Sequence, residues 1–324
     1  MRSLFRKLAL LVVVVVGLQG SPALAAVREN PTSNLDRIDQ EKFPLDQKYE
    51  YPDTAGEGVT VYVLSTGILV EHNEFEGRAV HGGSFCTGCG NTDDNGLGTH
   101  VASLVGGRTL GVANKTKLVG VKVLNGSGSG SFSEVIAGLT FVRDDHKAHP
   151  GQNSVALVGA EGGKDEALNT AVQDLVSAGV HVVVPAANDG DDACNVSPAS
   201  TPNAITVGAT EDTSDNVTDF SNAGECLDIF APGRNIKAAG ITSNDSAQTF
   251  SGTVQAAAEV AGAIALIIAD TGNLSPAEMA TRLIYVSTKG VIPAATLRGS
   301  PNVLLRVPPV QAPHLSAARA TGKS

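Results

Sequence analysis

Several side chains that could carry out hydrolytic chemistry lie beside glycines or at the ends of apolar runs. Ser65, Ser251 and Thr253 carry hydroxyl groups, and His72 and His100 carry imidazole rings. A hydroxyl becomes a competent nucleophile when a neighbouring imidazole accepts its proton, so a pairing between these two sets would indicate acyl transfer. Each hydroxyl also has a structural explanation, which we prefer. Ser65 ends an apolar run and could bond to local backbone, whereas Ser251 and Thr253 precede an apolar helix that they could cap or support.

Carboxylates cluster in one place, at residues 189–192, where three aspartates surround a glycine. Such oxygens could bind calcium, but the same composition is typical of a solvated loop, which we prefer. We therefore assign no metal ligand and no cofactor. A structural calcium ion is possible.

The first 25 residues have the pattern of a secretory signal peptide. A basic stretch at 2–7 is followed by an apolar run at 8–18 and by a small-residue cleavage pattern at 23–25. The apolar run is too short to span a bilayer comfortably, which disfavours a membrane anchor. We expect a secreted, extracellular protein that could carry glycans. The preferred sequons begin at Asn114, Asn125, Asn216 and Asn244.

The predicted export of the protein determines how its four cysteines are interpreted. Cys86, Cys89, Cys194 and Cys226 are even in number, and an oxidising compartment favours two disulfide bonds. The sequence alone permits three pairings. The Cys86-x-x-Cys89 spacing could also be a redox site or half of a zinc site, but no second pair lies nearby to complete a zinc site.

Composition limits the partners and the architecture. The 324 residues have a net charge of −10 and no basic cluster, which argues against nucleic-acid and anionic-membrane partners. Small and aliphatic residues with 36 glycines suit buried parallel strands joined by tight loops. We predict a monomer with one domain at 34–307, a short segment at 26–33 before it and a disordered tail at 308–324.

Short apolar runs alternate with longer helical patterns, which is typical of βαβ units. Strands are predicted at 59–64, 118–124, 154–158, 180–184, 204–209 and 226–230, the last before an Ala231-Pro-Gly233 turn. Helices are predicted at 135–143, 166–178 and 254–270, and from Ser275 onwards. These elements predict a three-layer α/β fold with a mostly parallel central sheet and helices on both faces.

About a dozen short motifs occur in a fixed order along the chain. They include Asn34-Leu-Asp-Arg-Ile-Asp-Gln40, Asn95-Gly-Leu-Gly-Thr-His-Val-Ala102, Ser197-Pro-Ala-Ser200, Ile229-Phe-Ala-Pro-Gly233 and Ser251-Gly-Thr253. In this order they resemble the proteinase K-type subgroup of the secreted subtilisin-like serine proteases, over nearly all of residues 34–307. The resemblance implies a subtilisin-like fold with its site at the carboxyl ends of strands, beside the helix that begins near Val254.

The same resemblance assigns three catalytic positions. In that family a serine attacks the scissile carbonyl, a histidine accepts its proton and an aspartate orients the histidine. The matching motifs have Ser65 in place of the aspartate, Leu97 in place of the histidine and Val254 in place of the serine. In a subtilisin, loss of the serine or histidine lowers turnover about 10⁶-fold and leaves roughly 10³- to 10⁴-fold over water. We therefore predict a pseudoprotease, a protein with the protease fold that is not an enzyme.

Neighbouring positions are assigned in the same way. Asn188 matches the asparagine that stabilises the oxyanion, and Gly159, Ala160 and Glu161 match the substrate-binding strand, where the family has Ser-Leu-Gly. Glu161 adds a carboxylate beside the specificity pocket, and the sequence leaves open whether it closes that pocket or lines it.

The resemblance also bears on the disulfides and on processing. A bridge like Cys194–Cys226 occurs in secreted bacterial relatives, which leaves Cys86 and Cys89 as the second pair. The family carries an inhibitory pro-segment, but here the match begins a few residues after the signal, so we predict no pro-domain.

Three functions remain in view. The leading prediction is a protein that binds peptides or protease inhibitors without cutting them, by strand addition along the cleft. The alternative is a residual or relocated-site serine-type endopeptidase, suggested by Asn188, His100 and the spare hydroxyls. His100 lies three residues along a predicted helix from Leu97. The third is a surface protein without a ligand, suggested by the sequons and the acidity.

Overall fold

A computed structural model describes residues 25–308 of the chain. The predicted signal peptide and the predicted disordered tail therefore lie outside the described residues, except for Ala25 and Pro308. The strands are β1 (Ala25–Glu29), β2 (Lys48–Pro52), β3 (Val59–Ser65), β4 (Ala79–Ser84), β5 (Lys117–Lys122), β6 (Asn153–Val158), β7 (Gly162–Gly163), β8 (His181–Pro185), β9 (Val196–Ser197), β10 (Ile205–Thr210), β11 (Ile229–Pro232), β12 (Ile236–Ala239), β13 (Ala247–Phe250), β14 (Thr288–Lys289) and β15 (Val303–Leu304). The helices are α1 (Ser33–Ile38), α2 (Leu97–Gly106), α3 (Phe132–Ala148), α4 (Glu166–Ser177), α5 (Thr253–Thr271) and α6 (Pro276–Val286).

The central element is a nine-stranded sheet in the order β14-β15-β11-β10-β8-β6-β3-β5-β4. Every neighbouring pair in it is parallel except β14 and β15. Helices cover both faces, so the predicted three-layer α/β fold with a mostly parallel sheet is confirmed. Parallel strands need crossover connections, and α2, α3 and α4 provide them.

Strand β3 shows how the sheet separates two cores. All seven of its residues are buried, as expected for a strand covered on both faces. Val59, Val61 and Val63 pack into the core that contains α2 and α5. Tyr62 and Leu64 point to the opposite side and pack with residues of α3 and α4. The period of two along a strand therefore assigns each side chain of β3 to one layer.

Helix α5 runs through the centre of the first of these cores. By length and composition alone it could cross a membrane, but 89% of its apolar window is buried inside the fold. It packs against α2 and against strands β6, β8, β10 and β11. Burial between other elements explains the apolar sequence of α5, and the helix predicted at 254–270 is confirmed.

The helix ends agree with their capping residues. Ser275 accepts a hydrogen bond from the Glu278 amide in a capping box, and Pro276 opens α6, as predicted. Helix α3 begins earlier than predicted, at Phe132, because Ser131 and Glu134 form a second capping box. The predicted strand at 226–230 lies instead at Ile229–Pro232, so Pro232 belongs to a strand and not to a turn.

Three small antiparallel pairs were not predicted. Strand β1 pairs with β2, β7 with β9, and β12 with β13. Strand β1 lies in the segment that was predicted to precede the domain, and it is joined to the fold through β2.

Candidate active site

A cleft of about 490 Å³ lies where several elements of the central sheet end. Residues 159–161 follow β6, and Asn188 follows β8 by three residues. Gly252 and Val254, at the start of α5, complete this part of the wall. The cleft thus lies at the carboxyl ends of parallel strands and beside the N-terminus of a helix, which is the usual position of a site in an open α/β sheet.

The three predicted catalytic positions lie close to this cleft, but only two of them line it. Leu97, the first residue of α2, and Val254 line the cleft. Ser65 lies behind its wall and is completely buried. A Cβ added to Gly159 would lie 3.3 Å from both the Ser65 Oγ and the Val254 Cγ2, so these two side chains converge on one point. That these are catalytic positions of the family stays a prediction from the motifs.

The hydroxyl groups do not have the partners that the sequence suggested. The Ser65 Oγ has no hydrogen-bond partner among the described residues, so the expected bond to local backbone is not formed. Gly252 occupies the N-cap position of α5, and neither Ser251 nor Thr253 caps the helix through its hydroxyl. The Ser251 Oγ accepts a hydrogen bond from the Asn235 amide, 2.9 Å away. The prediction that these residues cap the helix was therefore wrong, and a supporting role for them stays a prediction.

Asn188 provides the cap instead. Its Oδ1 accepts the amide N–H of Thr253, the first residue of α5, at 2.8 Å. Ala187, just before it, has a φ of 77°, which is strained for a residue with a Cβ. A turn of this kind persists only where the surroundings impose it, and here it fixes the position of the Asn188 side chain at the cleft. Sequence motifs alone identified this residue but not its capping role.

Glu161 is the other polar residue that contacts Asn188. The Asn188 Nδ2 donates to the Glu161 Oε1 at 2.9 Å. Glu161 retains accessible surface, yet protein atoms packed around its carboxylate, together with nearby Asp189, raise its pKa to about 7. The hydrogen bond from Asn188 acts in the opposite direction and is the weaker effect. Glu161 therefore lines the cleft and does not close it.

The two histidines have structural surroundings. His100 is completely buried, its Nε2 lies 3.1 Å from the Ile236 carbonyl oxygen, and burial lowers its pKa to about 4. Its ring packs against Phe250, and Phe250 rather than His100 lines the cleft. The His72 Nε2 lies 2.9 Å from the Ser246 carbonyl oxygen. Among the described residues, neither imidazole forms a hydrogen bond with a hydroxyl group that lines the cleft.

The cysteines and the acidic loop complete the predicted sites. The structure pairs Cys194 with Cys226 and Cys86 with Cys89, so both predicted disulfides are confirmed. Asp192 accepts the Cys194 amide and caps a short 3₁₀ turn, Ala193–Asn195, which holds this part of the loop in place. Within residues 25–308 no group of three potential ligands is arranged to hold a metal ion.

Comparison with known proteins places this geometry in a family. Residues 56–302 match the sequence model of the subtilase family. "Subtilisin-like protease 2" of Pseudogymnoascus destructans is 47% identical over 265 residues, which are 82% of this chain and 65% of that protein. "Extracellular serine proteinase" of a Thermus species is 47% identical over 284 residues, 87% of this chain and 68% of that protein. The chain thus spans about two thirds of the length of these relatives.

A solved structure agrees with the sequence matches. The crystal structure of a cold-adapted subtilisin-like serine proteinase superposes with a TM-score of 0.80 and 40% sequence identity, covering 86% of this chain and 99% of that one. The likeness therefore extends over the whole of that protease and over most of the fold described above.

These comparisons contradict the prediction that the chain is not an enzyme. The two relatives and the solved structure are all named as proteases or proteinases. A family of named proteases at this identity favours a subtilisin-like protease, so the classification as an inactive pseudoprotease that only binds is not supported. The resemblance from which that prediction started is confirmed, because both the family match and the fold agree with it. The chain belongs to the subtilase family.

Proposed function

We propose that this chain is a secreted endopeptidase that binds extended peptides in the cleft and hydrolyses them with residual, oxyanion-assisted catalysis. The observation that carries the proposal is the position of Asn188, whose side-chain amide lies in the cleft at the first turn of α5. Secretion is supported by the signal-peptide pattern and by a relative named an extracellular proteinase.

The start of α5 is suited to receive negative charge. The first amides of a helix have no acceptor within the helix, and the helix dipole favours an anion there. The Thr253 amide donates its hydrogen bond to Asn188. The Val254 amide, in the same first turn of α5, then remains as a donor for a ligand. A substrate carbonyl oxygen near Val254 would receive this N–H together with the Nδ2–H of Asn188. Both donors stabilise an oxyanion more than a neutral carbonyl, and this difference lowers the barrier.

Water is the proposed nucleophile. The cleft hydroxyls, those of Ser129 and Ser251, bond to no imidazole or carboxylate among residues 25–308. Water oxygen attacks the carbonyl carbon, and the oxyanion receives the two N–H groups. The C–N bond then breaks and solvent carries the proton to the amine, which leaves one carboxylic acid and one amine. Binding and an oxyanion site alone are worth roughly 10³- to 10⁴-fold over water.

Backbone segments provide the binding surface for the peptide. Residues 128–130 and 159–161 both line the cleft. An extended peptide binds such segments through main-chain hydrogen bonds, with alternate side chains in pockets. This mode of binding suits a broad set of peptides and needs no catalytic group.

The test is hydrolysis of a mixture of fluorogenic peptides by the purified protein and by the Asn188→Ala variant. We expect slow cleavage by the natural chain and a rate about 10²-fold lower in the variant, as for loss of one oxyanion donor in a subtilisin. Asn153→Ala is the matched control, since Asn153 lies at the opposite end of β6 and should leave the rate unchanged. Circular dichroism confirms that both variants are folded. No cleavage by the natural chain, or equal rates in both variants, would contradict the proposal.

A further inference from the structure

We propose that the cleft selects peptides that place a lysine or arginine side chain against Glu161. This inference rests on the proposed function for the location of the peptide, but it concerns ligand selection and not bond cleavage. It names the substrate class of the site as basic peptides.

The lining of the cleft has the character that a long basic side chain needs. Phe132 contributes the partly exposed apolar side chain of this wall, in which Leu124, Val135 and Leu168 are buried, and Glu161 contributes a carboxylate in the same cleft. Lysine and arginine lay their methylene chains along apolar surface and keep the charged end at a polar group. An aliphatic side chain would use the apolar wall alone, and a short polar one would use neither part well.

The segment that carries Glu161 is tightly packed. A Cβ added to the next residue, Gly162, would lie 2.7 Å from a ring carbon of Phe132. Gly162 then enters β7, which pairs with β9. The carboxylate is thus attached to a backbone that is held on one side by Phe132 and on the other by a strand pair. A carboxylate on a fixed backbone can discriminate between ligands, because less of the segment has to be ordered when they bind.

Glu161 lacks a cation in the protein itself. It forms no ion pair with any lysine, arginine or histidine within residues 25–308, and the charge of Asp189 raises its pKa further. The packed surroundings disfavour its charged form. A cation from the ligand would stabilise that form, whereas an acidic side chain would be repelled by both carboxylates.

Binding of a cation also bears on the oxyanion site. In the free protein the Asn188 Nδ2 donates to Glu161 at 2.9 Å. A lysine ammonium or arginine guanidinium competes as a donor for the same carboxylate and, being charged, forms the stronger bond. The Asn188 amide is then more available to the peptide carbonyl. Glu161 therefore acts as a specificity-determining residue whose occupation favours the oxyanion site.

The test is binding, measured by fluorescence anisotropy with labelled peptides of the form Ala-Ala-X-Ala-Ala. We expect the peptides with X as lysine or arginine to bind about tenfold tighter than the one with methionine, and the one with glutamate to bind weakest. Glu161→Gln, which keeps an oxygen for Asn188, should remove the preference. Glu166→Gln is the matched control, because it neutralises an exposed carboxylate in the first turn of α4 and should leave the preference intact.

Hydrolysis of the same peptides separates this inference from the proposed function. Basic selectivity without cleavage would leave the inference standing and reject the endopeptidase. Three results would overturn the inference. They are cleavage without a preference for basic peptides, the same basic preference in the Glu161→Gln variant as in the natural chain, and no binding of any peptide.

Discussion

Glu259 is the most deeply buried carboxyl group among residues 25–308. It lies in α5 with no exposed surface, and its Oε1 accepts a hydrogen bond from the Asn34 Nδ2 at 2.8 Å. Its Oε2 has no partner among the described residues. Burial raises its pKa well above the usual value, and the bond from Asn34 opposes this only weakly. The folded protein therefore holds a proton that a glutamate in the unfolded chain releases.

This difference predicts how stability changes with pH. At pH 4 the Glu259 carboxyl is largely protonated in both the folded and the unfolded state, so its burial lowers the free energy of unfolding only slightly. As pH rises above the unfolded pKa, unfolding releases the proton, so the contribution of Glu259 to the free energy of unfolding falls. Glu259→Gln removes the titrating group, so we expect the free energy of unfolding of the variant to rise relative to that of the wild type between pH 4 and pH 8. Urea unfolding at both pH values measures this gain. Parallel curves for the two proteins would show that Glu259 ionises normally.

At this scale the sequence predicted which residues surround the site but not their bonds. The motifs assigned Asn188, Glu161 and Val254 correctly to one cleft. They could not show that Asn188 caps α5, since its partner, Thr253, is 65 residues further along the chain. They also gave the hydroxyls local roles, because a sequence window contains only local partners. Long-range hydrogen bonds depend on the packing of whole elements.

Among the elements, helix α5 depends on one close approach to the segment that follows α2. A Cβ added to Gly262 would lie 2.7 Å from the Cβ of Val112 and 3.1 Å from the Val105 carbonyl oxygen. Both neighbours are buried, so neither can move aside easily. Gly262 is thus required by space and not by a turn.

We expect Gly262→Ala to destabilise the protein by about 1 to 3 kcal/mol, the usual cost of overpacking a core. The direction of the stability change is informative, because alanine is more favourable than glycine in a helix by about 1 kcal/mol. Without the close contact, the substitution would therefore stabilise α5. Thermal unfolding measures the change. Gly163→Ala is the control, since a Cβ there meets nothing within 4 Å. A stabilised Gly262→Ala variant would show that α5 and its neighbours can separate at no cost.

Most strands with both faces buried were predicted well, with β11 as the exception, and strands with an exposed face were predicted poorly. Strands β3, β6 and β8 are mostly apolar and were placed within one residue at each end. Strands β1 and β13 show no fully buried position, and their sequences contain charged or polar residues. Such strands are specified by their pairing partners and not by their own hydrophobic pattern, so a single sequence gives little sign of them.

For the molecule as a whole, the Cys194–Cys226 disulfide joins positions 32 residues apart. It ties the turn after β8 to the segment before β11, so it constrains a long loop of the unfolded chain. Chain-entropy estimates give about 3 to 4 kcal/mol for a loop of this size. The Cys86–Cys89 disulfide spans only 3 positions and should contribute roughly half as much on the same estimate.

Paired serine substitutions test this difference. We expect Cys194→Ser with Cys226→Ser to lower the free energy of unfolding about twice as much as Cys86→Ser with Cys89→Ser, as measured by urea unfolding. The second pair is also the control for loss of thiol chemistry. Equal losses would mean that loop length does not set the contribution of either disulfide.

The last prediction concerns the three positions that the motifs assign to catalysis. The Thr66 Oγ1, next to Ser65, accepts the Gly98 amide at 2.9 Å, and a Cβ at Gly98 would collide with the Gly67 carbonyl, so β3 and the start of α2 are firmly joined. With this backbone retained, Ser65→Asp, Leu97→His and Val254→Ser together should raise peptide hydrolysis by about 10³-fold or more, part of the roughly 10⁶-fold that a triad contributes in a subtilisin. The same protein with Val254→Ala in place of Val254→Ser should stay at the residual rate. If the complete variant is no faster than that control, the assignment of these three positions to catalysis is wrong.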